Sequence, residues 1–131
     1  MTRRHIEASL QISVIQWLCL IKMSERCAVW HTANGGKRSK SEGTRLKAMG
    51  VVAGVPDLIF VWSRDFTTRV GAIELKVGKG TLSASQIAWR NAGPKHGIAW
   101  AECRSIEAVA DVLTSWGLVT LLERERLGGL A

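Results

Sequence analysis

The chain has no tyrosine, two prolines, three cysteines and three histidines among 131 residues. Each scarcity narrows the field. Cys19, Cys27 and Cys103 are odd in number and widely spaced, with no CxxC pair. They read as reduced, mostly buried thiols of an intracellular protein, not as a disulfide framework or a zinc site. His5, His31 and His96 are equally dispersed, which argues against a histidine-based metal centre. The apolar run from Leu10 to Ile21 is interrupted by Gln11, Ser13 and Gln16 and is too short to span a bilayer. No convincing small-residue cleavage site follows it, so it is not read as a signal peptide. There is no repeat, low-complexity tract or linker. The expectation is a single soluble domain over residues 1–131, with no membrane association and no nucleotide cofactor.

Acidic residues are also scarce. Eleven Asp and Glu face eighteen Lys and Arg, giving a formal charge of +7 and a pI near 9.9. Through Gly50 there are nine bases (Arg3, Arg4, Lys22, Arg26, Lys37, Arg38, Lys40, Arg45 and Lys47) against Glu7, Glu25 and Glu42, so almost all the excess lies in the first part. An anionic partner is expected, nucleic acid first and an anionic membrane surface second. A hydrophobic fraction of 47% with 22% charged residues is ordinary for a globular protein and excludes a disordered or fibrous class.

What is present centres on Gly54-Val55-Pro56-Asp57-Leu58-Ile59-Phe60-Val61-Trp62 and Gly71-Ala72-Ile73-Glu74-Leu75-Lys76. Both are apolar runs of strand length, and the polar connector Ser63 to Arg69 is short enough to join antiparallel neighbours. Asp57 opens the first run. Glu74 and Lys76 interrupt the second on one side, because side chains alternate with period two. Charges in a core strand are costly unless they are paired or bound to a metal.

Around this pair the periodicity predicts a helix from Arg3 to about Lys22, with Thr2 as its cap and Ile6, Leu10, Val14, Trp17, Leu18 and Ile21 as its apolar stripe. Glu7 and Gln11, one turn apart, share a face beside that stripe. Cys27 to His31 reads as a strand, Asn34-Gly35-Gly36 as a turn, and Ser41 to Met49 as a short helix stopped by Gly50. Ser83 to about Asn91 reads as a helix ended by Gly93-Pro94, Ile98 to Cys103 as a strand, and Ser105 as the cap of a last helix reaching Trp116. Ser83 and Gln86 form an S-x-x-Q capping box, which by itself accounts for both residues. Trp17, Trp89 and Trp116 fall on helix stripes as core, while Trp30, Trp62 and Trp100 read as core or interface.

Pro-Asp, a strand, then Glu-x-Lys resembles the signature of the PD-(D/E)XK nuclease superfamily. Together with Glu7, Gln11, Asn34-Gly35-Gly36, Gly50, Gly54, the Ser83-x-x-Gln86-x-x-Trp89 stretch and the Gly97 strand, it resembles the virus-type replication-repair nuclease (VRR-NUC) domain over roughly Glu7 to Trp116. The resemblance implies an α/β, restriction-endonuclease-like αβββαβ core, a mixed central sheet flanked by helices. It also implies a Mg²⁺- or Mn²⁺-dependent DNA endonuclease. Stand-alone domains of this kind come mainly from phages and bacteria and are associated with homodimers that cut branched DNA such as four-way junctions, so a bacterial cytoplasm is expected.

The residues suit such chemistry. Asp57 and Glu74 offer hard oxygen ligands for Mg²⁺ or Mn²⁺, and the resemblance adds the backbone carbonyl of Leu75. Glu7 matches the family's first-helix acid, a ligand to a second metal directly or through water. Lys76 shares Glu74's face and can orient water or stabilise the transition state. The resemblance places Gln86 at the active site; one side chain does not easily do this and cap a helix as well, and the active site is the preferred reading. Lys37, Arg38, Lys40 and Lys79 are the expected phosphate contacts. A catalytically silent nucleic-acid-binding module on the same fold is the alternative, against which the intact Asp57, Glu74 and Lys76 argue. A restriction-system nuclease subunit is weaker still.

Overall fold

The computed structural model describes residues 3–32, 40–50 and 52–126. The expected cap at Thr2, the turn at Asn34-Gly35-Gly36 and the phosphate contacts at Lys37 and Arg38 lie outside these residues.

The elements run α1 (Arg3–Leu20), β1 (Cys27–His31), α2 (Lys40–Ala48), β2 (Leu58–Arg64), β3 (Thr67–Leu75), α3 (Ala84–Ala92), β4 (Ile98–Cys103), α4 (Ile106–Ser115) and α5 (Leu121–Arg126). Among the described residues the strands form one mixed sheet in the order β1-β2-β3-β4. The first three pair antiparallel and β4 runs parallel to β3. That parallel pair needs a crossover, and α3 supplies it. The expected αβββαβ core is present.

Period-two alternation turns Leu58, Phe60 and Trp62 of β2 to one face, with Ile73 and Leu75 of β3 and Cys103 of β4 beside them. Val14 and Trp17 of α1 and Val109, Ala110 and Leu113 of α4 complete this core. Gly71 leaves room for the indole of Trp116, which a Cβ there would strike. Trp116 stacks on Trp62 at 5.6 Å and meets Phe60 edge-on at 5.7 Å.

Two local readings change, the β2–β3 connector and the burial of the cysteines. The β2–β3 connector is two residues, not seven: Asp65 (φ 51) and Phe66 (φ 64) make a tight left-handed turn, and the strands extend to meet it. The helix α3 ends at Ala92 with Gly93 as its cap, as expected, and a separate 3₁₀ turn over Gly93–His96 follows, closed by Gly97 (φ 78). The segment after Gly117 divides. Leu118 and Val119 enter the core, and α5 follows with Leu121 and Leu122 exposed. Of the cysteines only Cys103 is buried; Cys19 is exposed because α1 faces the core through Val14 and Trp17, leaving the Cys19 side outward. Among the described residues no helix is long and apolar enough to cross a membrane.

Candidate active site

The alternation that sends Leu58, Ile73 and Leu75 into the core sends Asp57, Glu74 and Lys76 to the opposite face. Leu58 pairs with Ile73, so Asp57, just ahead of β2, stands beside Glu74. Backbone bonds fix Asp57. Its Oδ2 accepts from the Leu75 N–H at 2.7 Å. Its carbonyl accepts from the Thr32 N–H at 2.9 Å and from His31 Nδ1 at 2.9 Å. The Thr32 hydroxyl donates to the carbonyl of Pro56, so the end of β1 holds the Pro-Asp step from outside.

Gln86 does both of the jobs that sequence reasoning set against each other. Its Oε1 accepts from the Ser83 N–H at 2.8 Å, closing the capping box, while its Nε2 donates to Glu74 Oε1 at 2.9 Å. A primary amide has an acceptor end and a donor end, and the two serve different partners. Gly54 makes this possible. Its φ is +81°, and a Cβ there would stand 2.5 Å from the Ser85 carbonyl carbon and 2.8 Å from the Gln86 nitrogen. The loop ahead of Asp57 therefore lies directly on the first turn of α3, which brings Gln86 to Glu74.

Glu74 is 3% exposed, the one buried charged side chain among the described residues. Burial pushes its carboxyl up to about 8, and the neighbouring Asp57 charge and hydrogen bond push the same way. Lys76 opposes this and Glu7 adds to it. Two carboxylates so close, one of them desolvated, keep a proton where a cation would otherwise sit. Hard oxygen donors of this kind fit Mg²⁺ or Mn²⁺.

Asp57, Glu74, Leu75, Lys76, Gln86 and Glu7 all line one cleft of about 900 Å³. Gln11 lines it too, one turn after Glu7 on α1. Among the described residues no three His, Cys, Asp or Glu side chains converge closely enough to hold an ion, so Glu7 stands in the cleft apart from the Asp57–Glu74 pair.

The expected phosphate contacts are less central. Lys40 and Lys79 are exposed and neither lines the cleft. Lys79 sits in a turn that Arg104 clamps through the carbonyls of Gly78 and Gly80. Arg104 also pairs with Glu102, the β4 partner of Glu74 in register, and Glu102 is not part of the cleft lining. Sequence reasoning missed His31 and Lys47, which do line the cleft. The spacing Gly43, Leu46, Lys47, Gly50 was the available signal for Lys47, since it marks one face of a helix.

No family model matches the sequence, and no curated protein matches it. The chain is similar to a solved structure described as a "VRR_NUC domain protein". The two are 23% identical, with a TM-score of 0.62 over 82% of this chain and 84% of that one. The likeness establishes the fold: a mixed sheet flanked by helices in the nuclease-like arrangement that the Pro-Asp and Glu-x-Lys motifs suggest.

Proposed function

We propose that this chain is a divalent-metal-dependent endonuclease that hydrolyses DNA phosphodiester bonds, acting as a homodimer on branched DNA such as four-way junctions. The observation that carries the reading is the pairing of Asp57 with the buried Glu74 at the base of one cleft, with Lys76 beside them and Gln86 bonded to Glu74. A module that only bound nucleic acid would gain nothing from facing its phosphates with two carboxylates, one of them desolvated.

In this reading Asp57 and Glu74, with the Leu75 carbonyl, would hold Mg²⁺ or Mn²⁺, which when bound neutralises the phosphate and acidifies the attacking water. The chain's own groups then do four things. The Leu75 N–H holds the Asp57 carboxylate in place. Gln86 orients Glu74 by its amide N–H. Lys76 presents an ammonium where charge develops on the phosphoryl oxygens. Glu7, which with Gln11 lines the same cleft from α1, would hold a second ion directly or through water. Exposed Leu121 and Leu122 on α5 offer apolar surface to a second copy.

The test is to incubate the purified protein with linear, supercoiled and four-way-junction DNA in Mg²⁺, in Mn²⁺ and in EDTA, with its mass measured by light scattering. Metal-dependent cutting, fastest on the junction, by a dimer is expected. No cutting of any substrate in either metal defeats the reading, and a monomer at tens of micromolar protein defeats its dimeric part.

A further inference from the structure

Helix α2 contributes Gly43, Leu46, Lys47 and Gly50 to the cleft, a spacing of three, four and seven residues that turns one continuous face of the helix and its stop toward the carboxylates' cavity. The positive φ of 96° accounts for Gly50 as the helix stop, but nothing in the fold explains Gly43 or Lys47. None of the helix's residues is buried and only Gly43 and Leu46 are half-buried, so core packing does not dictate this face. Gly43 is inside the helix, where glycine is among the least favourable residues. Its φ is not in the left-handed region, and a Cβ built there would meet nothing within 4 Å. Alanine would fit and would favour the helix. The contrast with Gly54 is direct, because a Cβ at Gly54 collides with the backbone of α3. A glycine that neither the backbone conformation nor the packing requires, on the wall of a cleft, leaves room for something outside the chain. Lys47 follows one turn later on the same face, exposed and in no ion pair among the described residues.

We infer that the cleft face of α2 is a wall against which the sugar–phosphate backbone of the nucleic acid passes in close contact, Gly43 giving it room and Lys47 pairing with one of its phosphates. The inference rests on the nuclease reading of the same cleft and adds two contact residues, neither among the expected phosphate ligands. A lysine at that point supplies charge without base recognition, so the contact follows the backbone and is indifferent to sequence. Close passage of the backbone over a glycine is the same device by which glycines elsewhere admit phosphates.

The test uses thermal unfolding and the binding of a fluorescently labelled four-way junction and a labelled duplex in EDTA, followed by anisotropy. Gly43→Ala is expected to raise the melting temperature by about 3 °C and yet weaken DNA binding. Gly43→Leu, larger but still helix-compatible, weakens binding by about tenfold while remaining folded. Lys47→Gln lowers the log–log salt dependence of binding by about one. A purely structural glycine would give the opposite pattern, with Gly43→Ala unfolding earlier, and that result overturns the inference. Gly43 variants that bind as wild type also overturn it, and if wild type meanwhile cuts DNA in Mn²⁺ the nuclease reading stands without it. Wild-type protein that neither binds nor cuts DNA sinks both.

Discussion

On one wall the side chains of Asp57, Glu74 and Gln86 are each tied to backbone or to a neighbour, whereas α2, in the same cleft, buries none of its residues. The first wall grows from the centre of the sheet. The last five residues of β3 are all buried, and the Gly54 loop lies hard against α3. The second wall is a short basic helix carrying Lys40, Arg45 and Lys47 against Glu42, with an interior glycine. The difference matches what the proposed function asks of each wall. Groups that set a reaction geometry must be held within a fraction of an ångström. Contacts that follow a flexible phosphate chain need charge and room more than rigidity.

Substitutions on the rigid wall should therefore act on turnover where they touch the carboxylates and on folding where they touch the backbone packing. The largest effect is expected from Asp57→Asn, which keeps the shape and removes a ligand charge. Cleavage of a four-way junction should fall at least about a thousandfold, about 4 kcal/mol of transition-state stabilisation, while DNA binding in EDTA persists. Lys76→Ala should also lower turnover but leave Mn²⁺ binding in place. Next comes Gly54→Ala, whose methyl group would collide with Ser85 and Gln86 at an unfavourable φ. It should destabilise the fold by about 2–4 kcal/mol in urea unfolding. Gly43→Ala on the other wall should stabilise it, and the opposite signs of two Gly→Ala changes would sharpen the contrast.

Gln86 allows the two jobs of one side chain to be separated. Gln86→Glu keeps an oxygen for the Ser83 N–H but loses the donor to Glu74, so stability should stay near wild type while single-turnover cleavage falls about tenfold. Gln86→Leu loses both contacts and should cost about 1 kcal/mol of stability as well. Equal unfolding midpoints for the two variants would mean that the cap contributes nothing.

A separate test lies in the pH dependence of the metal-free fold. Glu74 has its carboxyl raised from 4.5 to about 8, so between those values the folded state binds the proton that the unfolded state releases. Its contribution to stability is therefore complete below the lower value and is lost as pH rises through the upper one, with a slope of up to about 1.4 kcal/mol per pH unit. Urea unfolding of Glu74→Gln should lack that slope and should be more stable than wild type at pH 8 and above.

The carboxylate wall was legible in the sequence because charges in apolar strands stand out: counting in twos put Glu74 and Lys76 on one face, and the strand register brings Asp57 beside them. Helical spacing put Glu7 and Gln11 on one face, and only the family resemblance pointed that face at the site. The hairpin turn was not legible, because Asp65-Phe66 adopts a left-handed pair without the glycine or asparagine that announces one. The double bonding of Gln86 was missed because a capping box already accounted for it, and only the closeness of α3 to β3 reveals the second partner. Lys47 was hidden among other bases on a helix with no buried face, where nothing in the pattern says which side meets the cleft. Nothing in the run from Leu118 to Leu122 marks which residues the core accepts, and it takes Leu118 and Val119 while Leu121 and Leu122 stay exposed.

A calorimetric titration with Mn²⁺ tests the central claim, that Asp57 and Glu74 are built to hold a divalent ion, without requiring the preferred substrate. It is run near pH 7 in two buffers of different ionisation enthalpy, for wild type and Glu74→Gln. Because the Glu74 proton leaves only near pH 8, the ion must displace it. Wild type should bind Mn²⁺ with release of about one proton, a release that disappears well above pH 8, and Glu74→Gln should bind far more weakly and release none. Mn²⁺ binding equally tight in Glu74→Gln, or no binding by wild type, would contradict the account.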